Sequence, residues 1–123
     1  MVKPFRTQSQ GDAERAEALR RAEPRLAQFA QLARSTICAK EVWLFGSRAR
    51  RDSHPASDWD LLVVLDDNAP DTFEDTDTLY QLGRTSGLAA DVVSVRASEA
   101  WAARNIPTTL MYQISREGIR VDA

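Results

Sequence analysis

The segment Trp59-Asp60-Leu61-Leu62-Val63-Val64-Leu65 does most to restrict the folds open to this chain. From Leu61 to Leu65 every side chain is apolar, so both faces of an extended backbone are hydrophobic. That pattern suits a strand covered on both sides, central in a parallel or mixed sheet. The run is too short to span a bilayer, and Asp66, Asp67, Asn68 and Pro70 end it.

A central strand needs neighbours and two helical layers, and the flanking sequence predicts both. Glu41 to Phe45 is β-branched and aromatic and stops at Gly46, which reads as a strand followed by a tight turn. Asp91 to Val95 reads as a third strand, and Ile119 to Val121 as an edge strand. Leu19, Ala22, Leu26, Phe29 and Ala33 recur at steps of three and four, giving one apolar face of a helical segment over residues 12–39, restarted or kinked at Pro24. Glu17 and Arg21 sit on its polar side at a favourable spacing.

Further helices are predicted over Thr72 to Arg84, closed by Gly83 and Gly87, and around Ser98 to Arg104 with Ser98 as N-cap. A last helix has Pro107 in its first turn, turns Leu110, Met111 and Ile114 inward, and ends at Gly118. The fold class is therefore α/β, a small mixed β-sheet flanked by helices.

At 123 residues the chain fits a single domain, 1–123, with residues 1–10 as a loose arm and little room for a second substrate-binding domain. A formal net charge of −2 argues against stable, direct binding to nucleic acid. Cys38 is the one cysteine, so neither an internal disulfide nor a cysteine metal cluster forms, and it reads as a buried apolar residue. With no signal-peptide core and no apolar span, no membrane association is expected, and a cytoplasmic location is. Tyr80 and Tyr112 are expected in the core, His54 in an exposed loop, and the acidic run Asp71 to Asp77 at a solvated helix start.

Chemistry concentrates before the central strand. Asp58 and Asp60 are two residues apart, so their carboxylates leave one face of the strand with Cα atoms roughly 6.5 Å apart. Trp59 points to the other face, towards the core. Like charges at this distance favour a neutralising cation, and oxygen-rich surroundings suit Mg²⁺. On its own the pair fits a solvated strand edge equally well. Gly46 lets backbone N–H groups approach a phosphate without an intervening Cβ, Ser47 adds a hydroxyl, and Arg48, Arg50 and Arg51 follow with positive charge. Taken alone, that turn also fits an ordinary strand-to-helix junction.

Together these residues, in the text LFGSRARRDSHPASDWDLLVVL, resemble the minimal nucleotidyltransferases of the DNA polymerase beta-like superfamily. The resemblance runs from about Lys40 to Val95, and more weakly to Glu117-Gly118. It implies the nucleotidyltransferase fold, with Asp58, Asp60 and Asp91 as catalytic and metal-holding carboxylates and two Mg²⁺ ions. Gly46, Ser47, Arg48 and Ser57 would bind the phosphates of ATP. Members often carry glycine where this chain has Arg51, a departure that bears on the loop after the Gly-Ser turn.

Small members resembling this chain usually act as antitoxins. The implied function is therefore Mg²⁺-dependent transfer of AMP from ATP to a hydroxyl, typically of tyrosine, on a HEPN-type ribonuclease toxin in a heteromeric complex. Two alternatives stand beside it: a non-catalytic antitoxin that neutralises its partner by binding, and a nucleotidyltransferase acting on a small molecule such as an antibiotic.

Overall fold

The computed structural model of the chain describes residues 5–122. Two helices lead in, α1 (Gln10–Ala22) and α2 (Pro24–Ile37), separated at Glu23, with Pro24 opening α2. Proline suits that position because the first N–H groups of a helix have no internal partner. The break interrupts the apolar stripe read from the sequence: Ala22 is exposed, and α1 buries Ala16. The order then runs β1 (Glu41–Phe45), α3 (Ser47–Arg50), β2 (Trp59–Leu65), α4 (Thr76–Ser86), β3 (Ala90–Arg96), α5 (Ala97–Ala103), α6 (Leu110–Glu117) and β4 (Ile119–Arg120).

The sheet is mixed, in the order β3-β2-β1-β4. β1 runs antiparallel to β2 and β4, and β2 is parallel to β3. The Leu61–Leu65 run is central and fully buried, as its apolar character on both faces requires. Leu61, Val63 and Leu65 meet Leu26, Phe29 and Ala33 of α2 and Leu79 and Leu82 of α4 in one core. On the other face Leu62 and Val64 meet Trp43, Ala100 of α5, and Met111 and Ile114 of α6.

Several elements depart from the sequence reading. Residues 1–4 of the expected loose arm lie outside the described residues, but Phe5 to Ser9 is tied down. Phe5 is 2% exposed and packs edge-on against Trp43, the Arg120 N–H donates to Gln8 Oε1 at 2.6 Å, and Ser9 Oγ caps α1 by accepting from Asp12 N–H. The helix expected over Thr72 to Arg84 is a single 3-10 turn at Asp71–Glu74 followed by α4, with Asp75 extended between them. Arg96 holds that turn, pairing with Asp71 at 3.1 Å and Glu74 at 3.2 Å and donating to the Ala69 carbonyl.

Ser98 is not the N-cap of α5. The helix starts at Ala97, and the Ser98 N–H is satisfied by Asp67 Oδ1 at 2.9 Å. Pro107 precedes α6 rather than entering it; Thr109 is the cap, its Oγ1 accepting from Tyr112 N–H at 3.2 Å. Leu110 is 40% and Tyr80 58% exposed, so neither is core, while Tyr112 is half-buried under the Arg116 guanidinium. Cys38 is exposed too: it ends α2 in the left-handed region (φ 53°), where a side chain turns out of the helix packing. Among the described residues no helix is long and apolar enough to cross a membrane.

Candidate active site

Asp60 lies at the junction of three strands. It is opposite Phe45 of β1 and beside Asp91 of β3, in parallel register. Side chains alternate along β2, so Asp60 shares the face of Leu62 and Val64, and Asp58, just before the strand, points the same way. Asp91 joins that face from the neighbouring strand, as the register aligns Cβ directions across the ladder. None of the three carboxylates makes a hydrogen bond or ion pair among the described residues. Burial pushes the Asp60 carboxyl above the ordinary carboxylate range, and the charges of Asp91 and Asp58 push it further the same way.

The turn after β1 is built around that carboxylate. Gly46 has φ 74° and ψ −156°, a conformation open essentially to glycine alone. A Cβ there would lie 2.1 Å from Asp60 Oδ2. The Gly46 N–H donates to Glu117 Oε1 at 3.1 Å, and its carbonyl accepts from Ala49 and Arg50 N–H to open α3. The Ser47 hydroxyl has no hydrogen-bond partner among the described residues. Arg15, from α1, donates to the carbonyls of Arg48 and Ala49 at 2.9 and 2.6 Å and holds the far end of α3.

Arg48 and Ser57 brace the loop between α3 and β2. The Arg48 guanidinium donates to the Ser57 carbonyl at 2.7 Å and lies 4.2 Å over the ring of Trp59. Ser57 Oγ accepts from His54 N–H at 3.0 Å, closing a turn in which His54 is exposed. Trp59 is buried on the face opposite Asp58 and Asp60, as alternation requires. Arg50 pairs with Asp52 at 3.1 Å and Glu117 at 3.4 Å.

Arg51 occupies the left-handed region, φ 69° and ψ 26°, at the end of α3. A glycine would adopt this conformation without the steric penalty that a Cβ incurs. Glycine's greater freedom in the unfolded chain offsets part of that gain. Arg51→Gly is therefore expected to stabilise the fold by about 0.5 kcal/mol, raising Tm by roughly 2 °C in a calorimetric scan.

Two residues position the turn from a distance: Glu117, which the resemblance reached without a role, and Arg15, which sequence reasoning missed. Glu117 and Arg15 lie 71 and 31 residues from Gly46 along the chain, and neither carries a local signal for its role. No group of three or more His, Cys, Asp or Glu among the described residues is gathered closely enough to hold a metal ion by itself. The donor types nonetheless fit Mg²⁺, which commonly takes one or two carboxylates and fills its shell with water and substrate phosphates.

A mixed sheet whose first hairpin carries a Gly-Ser turn against an Asp-x-Asp strand defines the nucleotidyltransferase class. Residues 30–121 match the family described as Polymerase beta, Nucleotidyltransferase, and the chain belongs to that family. Among solved structures, a toxin-antitoxin crystallised with AMP-PNP is similar in fold, with a TM-score of 0.56 and 22% identity over 78% of this chain and 71% of that one. A proposed nucleotidyltransferase from Sulfolobus solfataricus aligns over 75% of this chain and 79% of its own, with 23% identity and a TM-score of 0.48. No curated protein matches the chain significantly.

Proposed function

We propose that the protein is a Mg²⁺-dependent nucleotidyltransferase that moves AMP from ATP to a tyrosine hydroxyl of a HEPN-type ribonuclease toxin, acting in the cytoplasm as its antitoxin. One observation carries the catalytic part: a face of three carboxylates that form no ion pair among the described residues, one pressed beneath a Gly-Ser turn with a free hydroxyl. The fold shared with a toxin-antitoxin crystallised with AMP-PNP supports the choice of nucleotide and partner.

In this reading the acceptor oxygen attacks the α-phosphorus of ATP. The bond from that phosphorus to the bridging oxygen breaks, pyrophosphate leaves, and Asp91 takes the acceptor proton. Gly46, its own N–H held by Glu117, shapes the turn so that the Ser47 hydroxyl faces the phosphates, while Arg48 and Ser57 keep the loop carrying Asp58 in shape. Asp58, Asp60 and Asp91, together with the substrate phosphates, would hold magnesium, which would neutralise charge on the phosphates and on the carboxylates. Rate enhancement comes from positioning and electrostatic stabilisation.

The test is incubation with α-labelled ATP, Mg²⁺ and the product of the neighbouring gene. Label is expected on a tyrosine of that partner, with loss of its ribonuclease activity. If the partner stays unlabelled yet is silenced stoichiometrically, neutralisation by binding replaces this reading. Label on a small molecule in place of the partner would make the protein a small-molecule transferase.

A further inference from the structure

Arg6, Arg104 and Arg116 line one cavity of about 590 Å³ together with Trp101, Asn105 and Ser115, and none of Asp58, Asp60 and Asp91 contributes to its lining. Each guanidinium lies over an aromatic ring: Arg6 over Trp43 at 5.0 Å, Arg104 over Trp101 at 3.4 Å, and Arg116 over Tyr112 at 4.8 Å. Stacking occupies the flat face of a guanidinium and leaves its N–H edges to grip an oxyanion, an arrangement that lysine does not reproduce.

The cations are only partly neutralised. Asp12 reaches Arg6 at 3.5 Å, while Arg104 and Arg116 have no ion pair among the described residues. The cavity lining includes no carboxylate among those residues. Arg6 donates from Nη2 to the Gly118 carbonyl and Arg104 from Nη1 to the Trp101 carbonyl, which anchors both side chains and leaves further donors on each. Arg6 Nε is buried without a partner among the described residues. Three like charges line one cavity, and an anion within it is attracted to all of them.

We propose that this cavity is a phosphate-binding site, distinct from the carboxylate face, for pyrophosphate or a nucleotide-sized phosphate ester. The volume matches small-ligand pockets of roughly 300–1,000 Å³, and its concavity disfavours a flat protein partner. A net charge of −2, with positive charge gathered in one hollow rather than along a stripe, disfavours a nucleic-acid track. Neighbouring residues of α6 divide between the two sites: Glu117 turns to Gly46 and Arg116 lines the cavity. The sites also differ in sign, since carboxylates attract phosphate only through a cation while the arginines need none. Chelation of divalent metal therefore separates them, and the proposal stands independently of the transferase reading.

The experiment titrates pyrophosphate, ADP and adenosine into the full chain in EDTA at low salt, by calorimetry and by the indole N–H resonance of Trp101. Pyrophosphate and ADP are expected to bind and shift that resonance, and adenosine to do neither. Charged hydrogen bonds of this kind contribute about tenfold or more each, so Arg104→Gln with Arg116→Gln is expected to weaken binding about 100-fold. Arg116→Gln alone, at an exposed side chain, guards against a folding defect and is expected to weaken binding about tenfold with Tm unchanged. Asp60→Asn is expected to leave it within about twofold, because the carboxylate face takes no part. No binding of pyrophosphate, equal binding of adenosine, an affinity indifferent to the arginine substitutions, or loss of binding in Asp60→Asn would overturn the proposal.

Discussion

Asp60→Asn is expected to lower nucleotidyl transfer by about 10³-fold or more while making the metal-free fold more stable. In the proposed function the loss follows from removing a charge that would organise metal and triphosphate where the transition state develops, a type of deletion that commonly costs about 10²–10³-fold or more. The gain follows from the environment of the native carboxyl. Burial, then Asp91, then Asp58 raise its pKa above the ordinary value. Between the unfolded value, about 3.9, and the raised native one, the folded protein holds more protons than the unfolded chain. Stability therefore falls as pH rises through that window, and at neutral pH the ionised carboxylate is a net liability. Asparagine keeps the shape without the charge, so Tm in EDTA at pH 7 should rise and the decline above pH 4 should flatten. Full activity, or a lower Tm with the decline intact, would count against this role for Asp60.

Gly46→Ala is expected to destabilise the fold by about 2–4 kcal/mol and to abolish transfer. Two effects add. The backbone at φ 74° and ψ −156° is strained for any residue with a Cβ, by about 1–3 kcal/mol. The new methyl also meets Asp60 Oδ2 at 2.1 Å, where contacts below 3.0 Å force something to move. Because the second effect runs through Asp60, Asp60→Ala in the same chain should recover part of the stability but none of the activity, a coupling measurable by urea denaturation. A loss under about 1 kcal/mol with activity retained would show that the turn tolerates a different shape.

The sheet was legible because period-two alternation and β-branched runs act over a few residues. Glu41–Phe45 stands as read, and β3 differs from the reading by one residue at each end. Helix boundaries were less legible where tertiary contacts intervene. Arg96 draws Asp71 and Glu74 into a separate turn, and Asp67 accepts from the N–H of Ser98, which lies inside the helix it was expected to cap. Tyr80 and Cys38 were misplaced because composition records hydrophobicity but not which way a helix faces or ends. At the candidate site, strand alternation brought Asp58 and Asp60 to one face, but the adjacency of Asp91 depends on parallel register. The Gly46 turn was legible as a Gly-Ser step. Its supports, Glu117 and Arg15, were not, since they reach it from distant parts of the chain. Arg48 was read as a phosphate ligand; its contacts with the Ser57 carbonyl and the Trp59 ring were not legible, since they depend on how the loop before β2 folds back.

The proposed function requires the carboxylate face and the Gly46 turn to form one metal-dependent nucleotide site. The glycine amide resonance of Gly46, followed in ¹⁵N-labelled protein during titration with AMP-PNP, tests it most directly. It should shift when Mg²⁺ is present, stay in place in EDTA, and stay in place in Asp60→Asn under either condition. A Gly46 resonance that is indifferent to Mg²⁺ and nucleotide together, or that shifts equally without the metal, would contradict it.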